Sequence, residues 1–485
     1  MYDFAEKSFK KLYAEGLYLP YSSLVFLFLF FPTTMFLYAY AGDVQKKNKI
    51  LMIASLVFYF WSAPKYVPLL FVMSFAAWIS ANFIIKLKNP VRFLAVTVSV
   101  FIQISVLFYF KFLNSTIGFD SYIGKYFIPI GITFYVLRLV TYLIDVYRMD
   151  AKICKRYTDV LLFASIFHLS IMAPLVSYKE MAASLKKRNA VVPEIGQGIN
   201  RFVIGIFKAS VLALSCDRIV HTMFPENLET FLKVPALGLW FGAIAFMLQM
   251  YLVCSAYSDM AIGMGKMLGF KYNENFNYPY MSTSIYEFCS KWYMTLSDFI
   301  KEYIYMPIRG RKSNSIRKIG AYIVSVLFLI LFIGKNWNGI GLILYFLMTL
   351  WLERFFADKK FVNPSKRVRH LYTLMIVCLG WIIFRFKDSR FLIAMLKGMI
   401  GLNGNGFIRG GSVQTSVKYL INICIAGIGC TSLFKQTYQW IRQNTKKYKV
   451  LIHVRRIIEV AGPIVLLIFS SIVLFDGDYT MFLYF

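Results

Sequence analysis

The sequence predicts an all-α polytopic integral membrane protein, and three observations lead to this fold class. Of the 485 residues, 58% are hydrophobic and only 16% are charged, whereas a soluble domain has roughly 45–50% apolar and about 25% charged residues. The chain contains 47 Phe, 33 Tyr and 8 Trp, which on a soluble protein would form large exposed apolar patches. Its Lys and Arg residues lie in short clusters between apolar runs. The aromatic content also excludes a disordered chain.

Twelve apolar runs are candidate membrane-spanning helices, because a spanning helix needs about 20 mostly apolar residues. They lie near 22–40, 50–64, 67–85, 93–112, 127–145, 199–217, 235–256, 319–335, 338–354, 371–386, 417–434 and 457–475. Two further stretches do not fit simple spans. Residues 159–178 are apolar but enter and leave on the same basic side, so we expect a re-entrant segment. Residues 283–308 carry several charges, so we expect an amphipathic helix at the interface or along a polar cavity.

The distribution of positive charge predicts the orientation of the chain in a plasma or inner membrane. The net charge is +30, and with the N-terminus outside, the basic clusters fall in the cytoplasmic loops. The outer loops 217–233 and 402–416 are nearly neutral or polar. Because Lys and Arg favour the cytoplasmic side, we expect both termini outside and the stretch 435–456 inside.

Two functional classes are disfavoured by the same composition. The chain has no nucleic-acid-binding signature, so we expect no nucleic-acid partner. Its seven Cys residues include no CxxC pair, so we expect neither a disulfide framework nor a metal site.

Residues 251–310 are the least lipid-like part of the chain. An apolar helix leads into YSD at 257–259, and a turn-rich linker follows at 275–280. On composition alone, a solvated cytoplasmic loop with a surface helix accounts for this stretch equally well. Asp259 and Asp145, two carboxylates in apolar or near-apolar helices, are candidate functional groups. The favoured alternative is a structural ion pair with Arg138, Arg148 or Lys266.

An ordered set of motifs covers nearly the whole chain. In and beyond the polar stretch, these motifs are YSSLVFLFLFFP at 21–32, PIGITFYVLRLVTYLIDVYR at 129–148, YSDMAIG at 257–263, NFNYPY at 275–280, KWYMTLSDFIKEYIYMPIRG at 291–310, WIIFRF at 381–386 and MFLYF at 481–485. Together they resemble the membrane-bound O-acyltransferase (MBOAT) family. The resemblance is to the branch of alginate O-acetyltransferases and D-alanyl-lipoteichoic-acid transferases.

This resemblance implies a ring of about twelve transmembrane helices with re-entrant or amphipathic segments. The single membrane domain would cover 1–485, with an MBOAT-like core at about 125–390 and peripheral helices at 20–112 and 417–475. The resemblance also implies an acyl donor, either an acyl-CoA or an acyl carrier, without a bound cofactor or metal. Its acceptor would be a hydroxyl of an extracytoplasmic glycan. The implied partners are membrane lipid and an acyl-carrier or polysaccharide-synthesis protein.

The sequence departs from the family at both histidines that the resemblance implies. The expected general base lies in a Trp-His-Gly motif, and WNG at 337–339 places Asn338 there. The second histidine lies in Arg-Trp-His, and KWY at 291–293 places Tyr293 there. Val253 and Ala173 likewise stand where the family usually has Asp and Gly.

The predicted site follows from these positions. The predicted catalytic positions are Asn338 and Tyr293, and the residues predicted to bind substrate are Tyr257, Ser258, Asp259, Asn275, Trp292, Trp337 and His168. We expect Tyr257, Asp259, Trp292, Tyr293, Trp337 and Asn338 to converge on one polar cavity inside the ring. His168 is the only histidine expected near the centre, and a structural hydrogen bond to a neighbouring helix is favoured over a catalytic role.

Neither replacement restores a base, because Asn does not titrate near pH 7 and a Tyr phenol has a pKa of ~10. The sequence therefore leaves three functions open. The favoured one is a catalytically degenerate member of a cell-surface polysaccharide O-acylation system, acting as a scaffold or conduit. The second is an active O-acyltransferase with a rearranged site. The third is a transporter or flippase on the same fold.

Overall fold

The computed structural model describes residues 20–113, 129–310, 314–334, 336–358, 365–408, 410–445, 448 and 450–475. Within these ranges the regular structure is entirely helical. The predicted all-α class is therefore confirmed for the described part of the chain. The motif at 481–485, residues 1–19 and the start of the predicted run at 127–145 lie outside the described residues.

The α-helices are numbered here in chain order. The first eleven are α1 (Phe31–Tyr40), α2 (Val44–Ser62), α3 (Val67–Ile84), α4 (Val91–Phe108), α5 (Ile132–Arg148), α6 (Tyr157–Ser165), α7 (Tyr178–Lys186), α8 (Val192–Phe207), α9 (Leu214–Met223), α10 (Leu228–Leu232) and α11 (Ala236–Met267). The others are α12 (Ile285–Lys291), α13 (Met294–Phe299), α14 (Met306–Arg309), α15 (Ser315–Ile333), α16 (Trp337–Asp358), α17 (Lys366–Arg385), α18 (Ser389–Met399), α19 (Gly410–Gly429), α20 (Leu433–Asn444), α21 (Val450–Arg456) and α22 (Gly462–Phe475).

Short turns of π- or 3-10-helix extend or join several of these helices. The π-helical turns are Phe26–Phe30, Tyr109–Leu113, Lys208–Ala213, Ile300–Tyr305 and Ile457–Ala461. The 3-10 turns are Pro64–Tyr66, Phe167–Leu169 and Pro279–Met281.

Each of the twelve predicted runs coincides with helix, but fewer are long and apolar enough to cross a membrane. The described residues contain seven such helices, or eight if the bent pair α19 and α20 is one span. The other four runs give shorter, interrupted or more polar helices. For example, α2 begins with three lysines among its first six residues, and a π-turn at Lys208–Ala213 interrupts the run near 199–217. The chain is a multi-pass membrane protein.

Helix α11 is the most buried of the seven membrane-length helices among the described residues. It has 32 residues, and 78% of its most apolar window is buried inside the protein, whereas the other six spans are 11–39% buried. At 1.5 Å per residue, 32 residues exceed the length needed for a hydrocarbon core of about 30 Å. The same helix therefore contributes both an apolar span and, near its end, the polar motif at 257–263.

The predicted re-entrant stretch 159–178 is not a continuous helix. Helix α6 ends at Ser165, a 3-10 turn covers Phe167–Leu169, and non-helical backbone leads to the start of α7. Every residue from Val160 to Tyr178 is buried. Such irregular backbone can lie within the depth of a membrane only where protein covers it.

The contacts divide the chain into two compact units. Unit 1 comprises residues 1–202, 260–274 and 295–334, and unit 2 comprises 203–259, 275–294 and 335–485. In unit 1, α5 packs against α3 and α4, and α6 packs against α2 and α3. In unit 2, α16 packs against α17 and α12, and α9 packs against α19. The expected single domain with a core at about 125–390 stays a prediction.

One close helix contact in unit 1 explains two glycines. A Cβ atom on Gly263 of α11 would lie 2.7 Å from the backbone nitrogen of Phe202 and 2.8 Å from the carbonyl oxygen of Gly198. Both neighbouring atoms belong to the backbone of α8, which cannot move aside as a flexible side chain could. Small residues let two membrane helices approach at this distance.

Candidate functional site

The predicted amphipathic helix at 283–308 is broken at Tyr293. Helix α12 ends at Lys291 and α13 begins at Met294, so the expectation of one helix was wrong. Tyr293 has φ of 47°, in the left-handed region that a non-glycine residue rarely adopts. A strained residue of this kind costs about 1–3 kcal/mol and persists only where its surroundings hold it. Position 293, where the family resemblance implies a histidine, therefore has a strained backbone conformation that its surroundings must stabilise.

The linker before α12 holds this break in place. The backbone nitrogen of Met294 donates to the carbonyl of Asn275 at 2.8 Å, and that of Asn277 donates to Lys291 at 3.1 Å. Asn275 is fully buried, and its side chain hydrogen-bonds to Tyr293. The motifs at 275–280 and 291–293 thus form one local structure, held together by hydrogen bonds between them.

Aromatic rings surround Tyr293 and Trp292. The Phe276 ring lies 5.8 Å from the Tyr293 ring and 5.2 Å from the Trp292 ring, and Trp292 contacts Trp381 of α17 at 5.0 Å. Aromatic pairs add about 0.5–1.5 kcal/mol each beyond their burial. Tyr251 of α11 joins this cluster through Phe276 and Trp292. The cluster ties three separate motifs of unit 2 together.

Charges in this segment are compensated locally. Lys291 contacts the Glu287 carboxylate at 2.6 Å and, through this hydrogen bond, holds the pKa of Glu287 below its usual value. The Glu353 carboxylate accepts hydrogen bonds from the backbone nitrogens of Ile285 and Tyr286 at the start of α12. An acidic group is favourable at a helix N-terminus.

Asn338 lies in the first turn of α16 and is 5% exposed. Its Nδ2 donates a hydrogen bond to the carbonyl oxygen of Phe384 at 2.5 Å. Within the described ranges its Oδ1 has no hydrogen-bond partner. The exposed Trp337 beside it donates from Nε1 to the carbonyl of Lys387. The Asn338 amide is thus fixed on one side and offers a buried acceptor on the other.

In sequence, Arg385 lies between Phe384 and Lys387. The carbonyls of these two residues accept the hydrogen bonds from Asn338 and Trp337. The Arg385 guanidinium lies over the Phe246 and Phe386 rings, at 5.8 Å from each ring centre. Its Nε is buried and has no hydrogen-bond partner among the described residues. Arg385 was not among the predicted site residues, although WIIFRF at 381–386 places this cation at the end of an apolar run. A cation here can attract an anionic or partly negative oxygen.

The polar motif of α11 contributes a buried ion pair. Asp259 contacts Lys208 Nζ at 2.7 Å, with side-chain exposures of 17% and 16%. An ion pair of the favoured kind is thus present, but its cation is Lys208 of the π-turn at Lys208–Ala213, which was not among the expected partners Arg138, Arg148 and Lys266. Lys208 lies within the predicted apolar run 199–217. A lysine in such a run could have indicated a buried ion pair.

Tyr257 and Ser258, the other two residues of that motif, are buried, with exposures of 0% and 3%. Unit 2 contains Tyr257, Ser258, Asp259, Asn275, Trp292, Tyr293, Trp337 and Asn338. Asn275 is connected to Tyr293 by a hydrogen bond. Tyr293 is connected to Trp292 through the Phe276 ring, which contacts both. Trp381 and Phe384, which also contact each other, extend this network to Asn338. The convergence of six predicted residues on one cavity stays a prediction.

His168 belongs to unit 1 and is fully buried. Its Nε2 and the Tyr272 hydroxyl are 2.8 Å apart, in hydrogen-bonding distance. This contact fits the favoured structural interpretation, although the partner lies in the stretch after α11 and not in a helix. The assignment of His168 to substrate binding stays a prediction.

The other three histidines have local contacts or are exposed. His370 Nδ1 lies 2.9 Å from the carbonyl of Ser282, and His453 is exposed. His221 Nε2 lies 3.7 Å from the Asp217 carboxylate, which also accepts from Gln249 Nε2 at 2.7 Å.

A polar pocket of about 620 Å³ opens in unit 1. Its walls are Arg148, Glu180, Asp298, Lys301, Glu302, Met306 and Pro307. None of the predicted site residues is among them. Beside it, Asp145 accepts from the Tyr303 hydroxyl at 2.7 Å and the Lys179 backbone nitrogen at 2.9 Å, which accounts for this buried carboxylate structurally.

Chemically, the side chains of Asn338 and Tyr293 can bind and orient a substrate, but neither is a base suited to neutral pH. Asn338 only donates and accepts hydrogen bonds. Burial raises the pKa of Tyr293 further above its ordinary value, so the phenol stays protonated at pH 7. Attack by a hydroxyl on an acyl carbonyl needs a base with a pKa near 7.

Comparison with known proteins finds relatives over most of the chain, although no family model matches. The chain is 32% identical to the probable alginate O-acetylase AlgI of Pseudomonas aeruginosa, over 78% of this chain and 74% of the relative. It is 30% identical to a peptidoglycan O-acetyltransferase of Helicobacter pylori, over 79% and 80%. It is 26% identical to a teichoic acid D-alanyltransferase of Bacillus subtilis, over 39% and 51%.

These relatives are the proteins that the motifs between 21 and 386 resemble. Identity of at least 30% over roughly three quarters of both chains, in the first two cases, extends well beyond the motifs themselves. The chain belongs to the membrane-bound O-acyltransferase family, in the branch of alginate O-acetylases and D-alanyltransferases.

Proposed function

We propose that this protein works in the O-acylation of a cell-surface polysaccharide and has lost acyl transfer of its own. It would act there as a scaffold or conduit, retaining the membrane fold and part of the donor or acceptor path. The relatives are named for acetylation of alginate or peptidoglycan and for D-alanylation of teichoic acid. In this proposal, the system that the protein serves transfers an acetyl or alanyl group to a cell-surface glycan, as the names of the relatives indicate.

One observation carries the loss of catalysis. Asn338 is buried and bound to the Phe384 carbonyl, at the position where the family resemblance implies the general base. Tyr293, at the second histidine position, is 5% exposed and protonated at neutral pH. General acid–base catalysis contributes about 10²–10⁴-fold in rate, so its loss would leave binding intact while removing most turnover.

The proposed partners follow from this role. A scaffold in such a system would meet an acyl donor, as an acyl-CoA or on a carrier protein, and an extracytoplasmic glycan. It would also contact a polysaccharide-synthesis or acylation partner that performs the transfer. The basic clusters of the loops support contacts with anionic groups of such partners, as does Arg385, whose buried Nε has no hydrogen-bond partner among the described residues.

Complementation tests this function. In a deletion strain, we expect the O-acyl content of the surface glycan to fall and to return with the wild-type protein. Asn338→Ala and Tyr293→Phe should restore it equally well, because a scaffold does not use these groups for proton transfer. The measurement is ester content per glycan, with each variant at equal expression.

A second candidate is an active enzyme with a relocated base. His168 supports it, because this histidine is fully buried and its Nδ1 has no hydrogen-bond partner among the described residues. Acylation that survives Asn338→Ala and Tyr293→Phe but fails on His168→Ala would favour this candidate. A fall in acylation with Asn338→Ala would contradict the scaffold role directly.

We also propose that the protein lies in the inner membrane with both termini outside. The support is the basic bias of the loops assigned to the cytoplasm. Single cysteines introduced as Gly410→Cys or Thr445→Cys, in a background without the exposed Cys424, test this. A membrane-impermeant thiol reagent should label position 410 and not 445 in intact cells, and labelling of 445 would reverse the orientation.

A further inference from the structure

Two arginines in unit 1 are buried without a carboxylate partner. Arg138 of α5 is 2% exposed and Arg188, after α7, is 5% exposed. No ion pair within the described ranges includes either side chain. An arginine side chain stays charged in proteins, so both positions hold a positive charge away from water.

Arg138 has little to compensate this charge. Its Nη1 donates a long hydrogen bond of 3.4 Å to the carbonyl of Ile166. The Tyr59 hydroxyl is a second neighbour that favours its charged form. Nε and Nη2 are buried and have no hydrogen-bond partner among the described residues. The groups around Arg138 are thus carbonyl and hydroxyl dipoles, with no negative charge.

Arg188 is better hydrogen-bonded but is also without an anion. Its Nε donates to the Tyr38 hydroxyl at 2.8 Å, and its Nη1 donates to Asn48 Oδ1 at 2.6 Å and to the carbonyl of Ser184 at 3.1 Å. Its guanidinium lies 4.4 Å from the centre of the Phe270 ring. Its Nη2 is buried and unpartnered within the described part of the chain.

His168 and Tyr272 lie near both arginines. Arg138 contacts the Ile166 carbonyl two residues before His168, and the Phe270 ring under Arg188 lies 5.8 Å from the His168 ring. The charges of both arginines act on His168 and on Tyr272. His168 Nδ1 is also buried and without a partner among the described residues. Two arginines with buried, unpartnered donors therefore lie near one histidine–tyrosine pair.

We propose that this cluster, formed by Arg138, Arg188, His168 and Tyr272, is a binding site for an oxyanion, either a carboxylate or a phosphate. Buried charges in proteins are normally paired, because an uncompensated buried charge costs several kcal/mol. Guanidinium groups match the geometry of carboxylate and phosphate oxygens. The neutral imidazole and the phenol supply further hydrogen bonds. The cluster includes neither Asn338 nor Tyr293, and the proposal does not depend on whether the protein transfers acyl groups.

Thermal unfolding of the purified full-length protein in detergent tests the site. Sodium phosphate and sodium acetate are titrated separately, with sodium chloride holding the ionic strength constant. A ligand that binds only the folded protein raises its stability with the logarithm of concentration. We expect one of the two oxyanions to raise the wild-type unfolding temperature in this saturable way, and its identity assigns the group as phosphate or carboxylate.

The variants separate this site from general salt effects. Arg138→Gln should abolish the shift, and Arg188→Gln should weaken the apparent affinity by ~10- to 100-fold, as expected for one charge-assisted hydrogen bond. Arg201→Gln is the matched control, because Arg201 already pairs with Glu274 at 2.7 Å in the same unit, and it should keep the wild-type shift. Without oxyanion, Arg138→Gln should be at least as stable as the wild type.

Three results would overturn the proposal. They are the absence of any oxyanion effect on the wild type, an equal shift in all variants, and a loss of stability in Arg138→Gln that is the same with and without oxyanion. If Arg138→Gln does not fold, Arg188→Gln still decides between a specific site and a salt effect.

Discussion

Asn338→His should restore acyl transfer in part, by about 10²-fold or more. The hydrogen bond from Asn338 Nδ2 to the Phe384 carbonyl gives the reason. The Nδ1 atom of a histidine is attached to Cγ as Nδ2 is in asparagine, so Nδ1–H can make the same bond. That bond would fix the tautomer and leave Nε2, which extends farther, as an oriented base.

The rescue should be incomplete because other positions have also changed. Val253 and Ala173 stand where the family usually has Asp and Gly, and Tyr293 replaces the second histidine. Adding Tyr293→His should therefore increase turnover beyond Asn338→His alone.

Transfer of a labelled acetyl group to the surface glycan by purified protein measures this effect. Asn336→His is the matched control, since Asn336 is exposed and lies two residues away. It adds a histidine without the Phe384 hydrogen bond and should leave turnover at the wild-type level. Equal gains in the two variants, or no gain in either, would contradict the role assigned to position 338.

Lys208→Met should destabilise the protein by about 3–5 kcal/mol, the usual cost of removing one partner of a buried ion pair. Asp259 would then keep a charge at a site where its side chain is 17% exposed. The double variant Lys208→Met/Asp259→Asn should recover most of this loss, because both charges of the pair are then removed. Thermal or denaturant unfolding in detergent gives the free energies.

The exposed pair Arg390–Asp388 provides the control for this effect. Its arginine side chain is 74% exposed, so Arg390→Gln should change stability little. A double variant as unstable as Lys208→Met would show that the pair contributes packing or hydrogen bonds and not charge compensation.

The helices were predictable from the sequence because apolar runs in a membrane leave the backbone no alternative to internal hydrogen bonding. All twelve runs contain helix for that reason. The sequence did not show which helices face lipid. Helix α11 is about as apolar as the other six spans but is mostly buried in protein. Apolarity alone does not distinguish a lipid-facing surface from a protein-facing one.

The site was predictable only as a set of motifs. Polar residues in an apolar chain pointed to the stretches around Asp259, Asn275 and Tyr293. The partner of Asp259, Lys208, lies 51 residues away in sequence. The partner of Asn338, the Phe384 carbonyl, lies 46 residues away, and such pairing depends on how the helices pack. The break at Tyr293 was missed because a positive φ at tyrosine has no sequence signal.

The buried arginines illustrate the same limit. Arg138 lies in a run that reads as an ordinary span, where the sequence offers Asp145 as one of several nearby carboxylates. In the structure, Asp145 is occupied by Tyr303 and the Lys179 backbone instead. The charge on Arg138 therefore became informative only when its surroundings were known.

The rate of acyl transfer by the purified wild-type protein tests the central claim most directly. The comparison is with the alginate O-acetylase of Pseudomonas aeruginosa, at equal concentration and with each protein's own glycan and the same donor. Loss of the base at position 338 predicts a rate lower by at least ~10²-fold. A wild-type rate within about tenfold of the relative, an energy difference below ~1.4 kcal/mol, would contradict the claim that this family member has lost its catalysis.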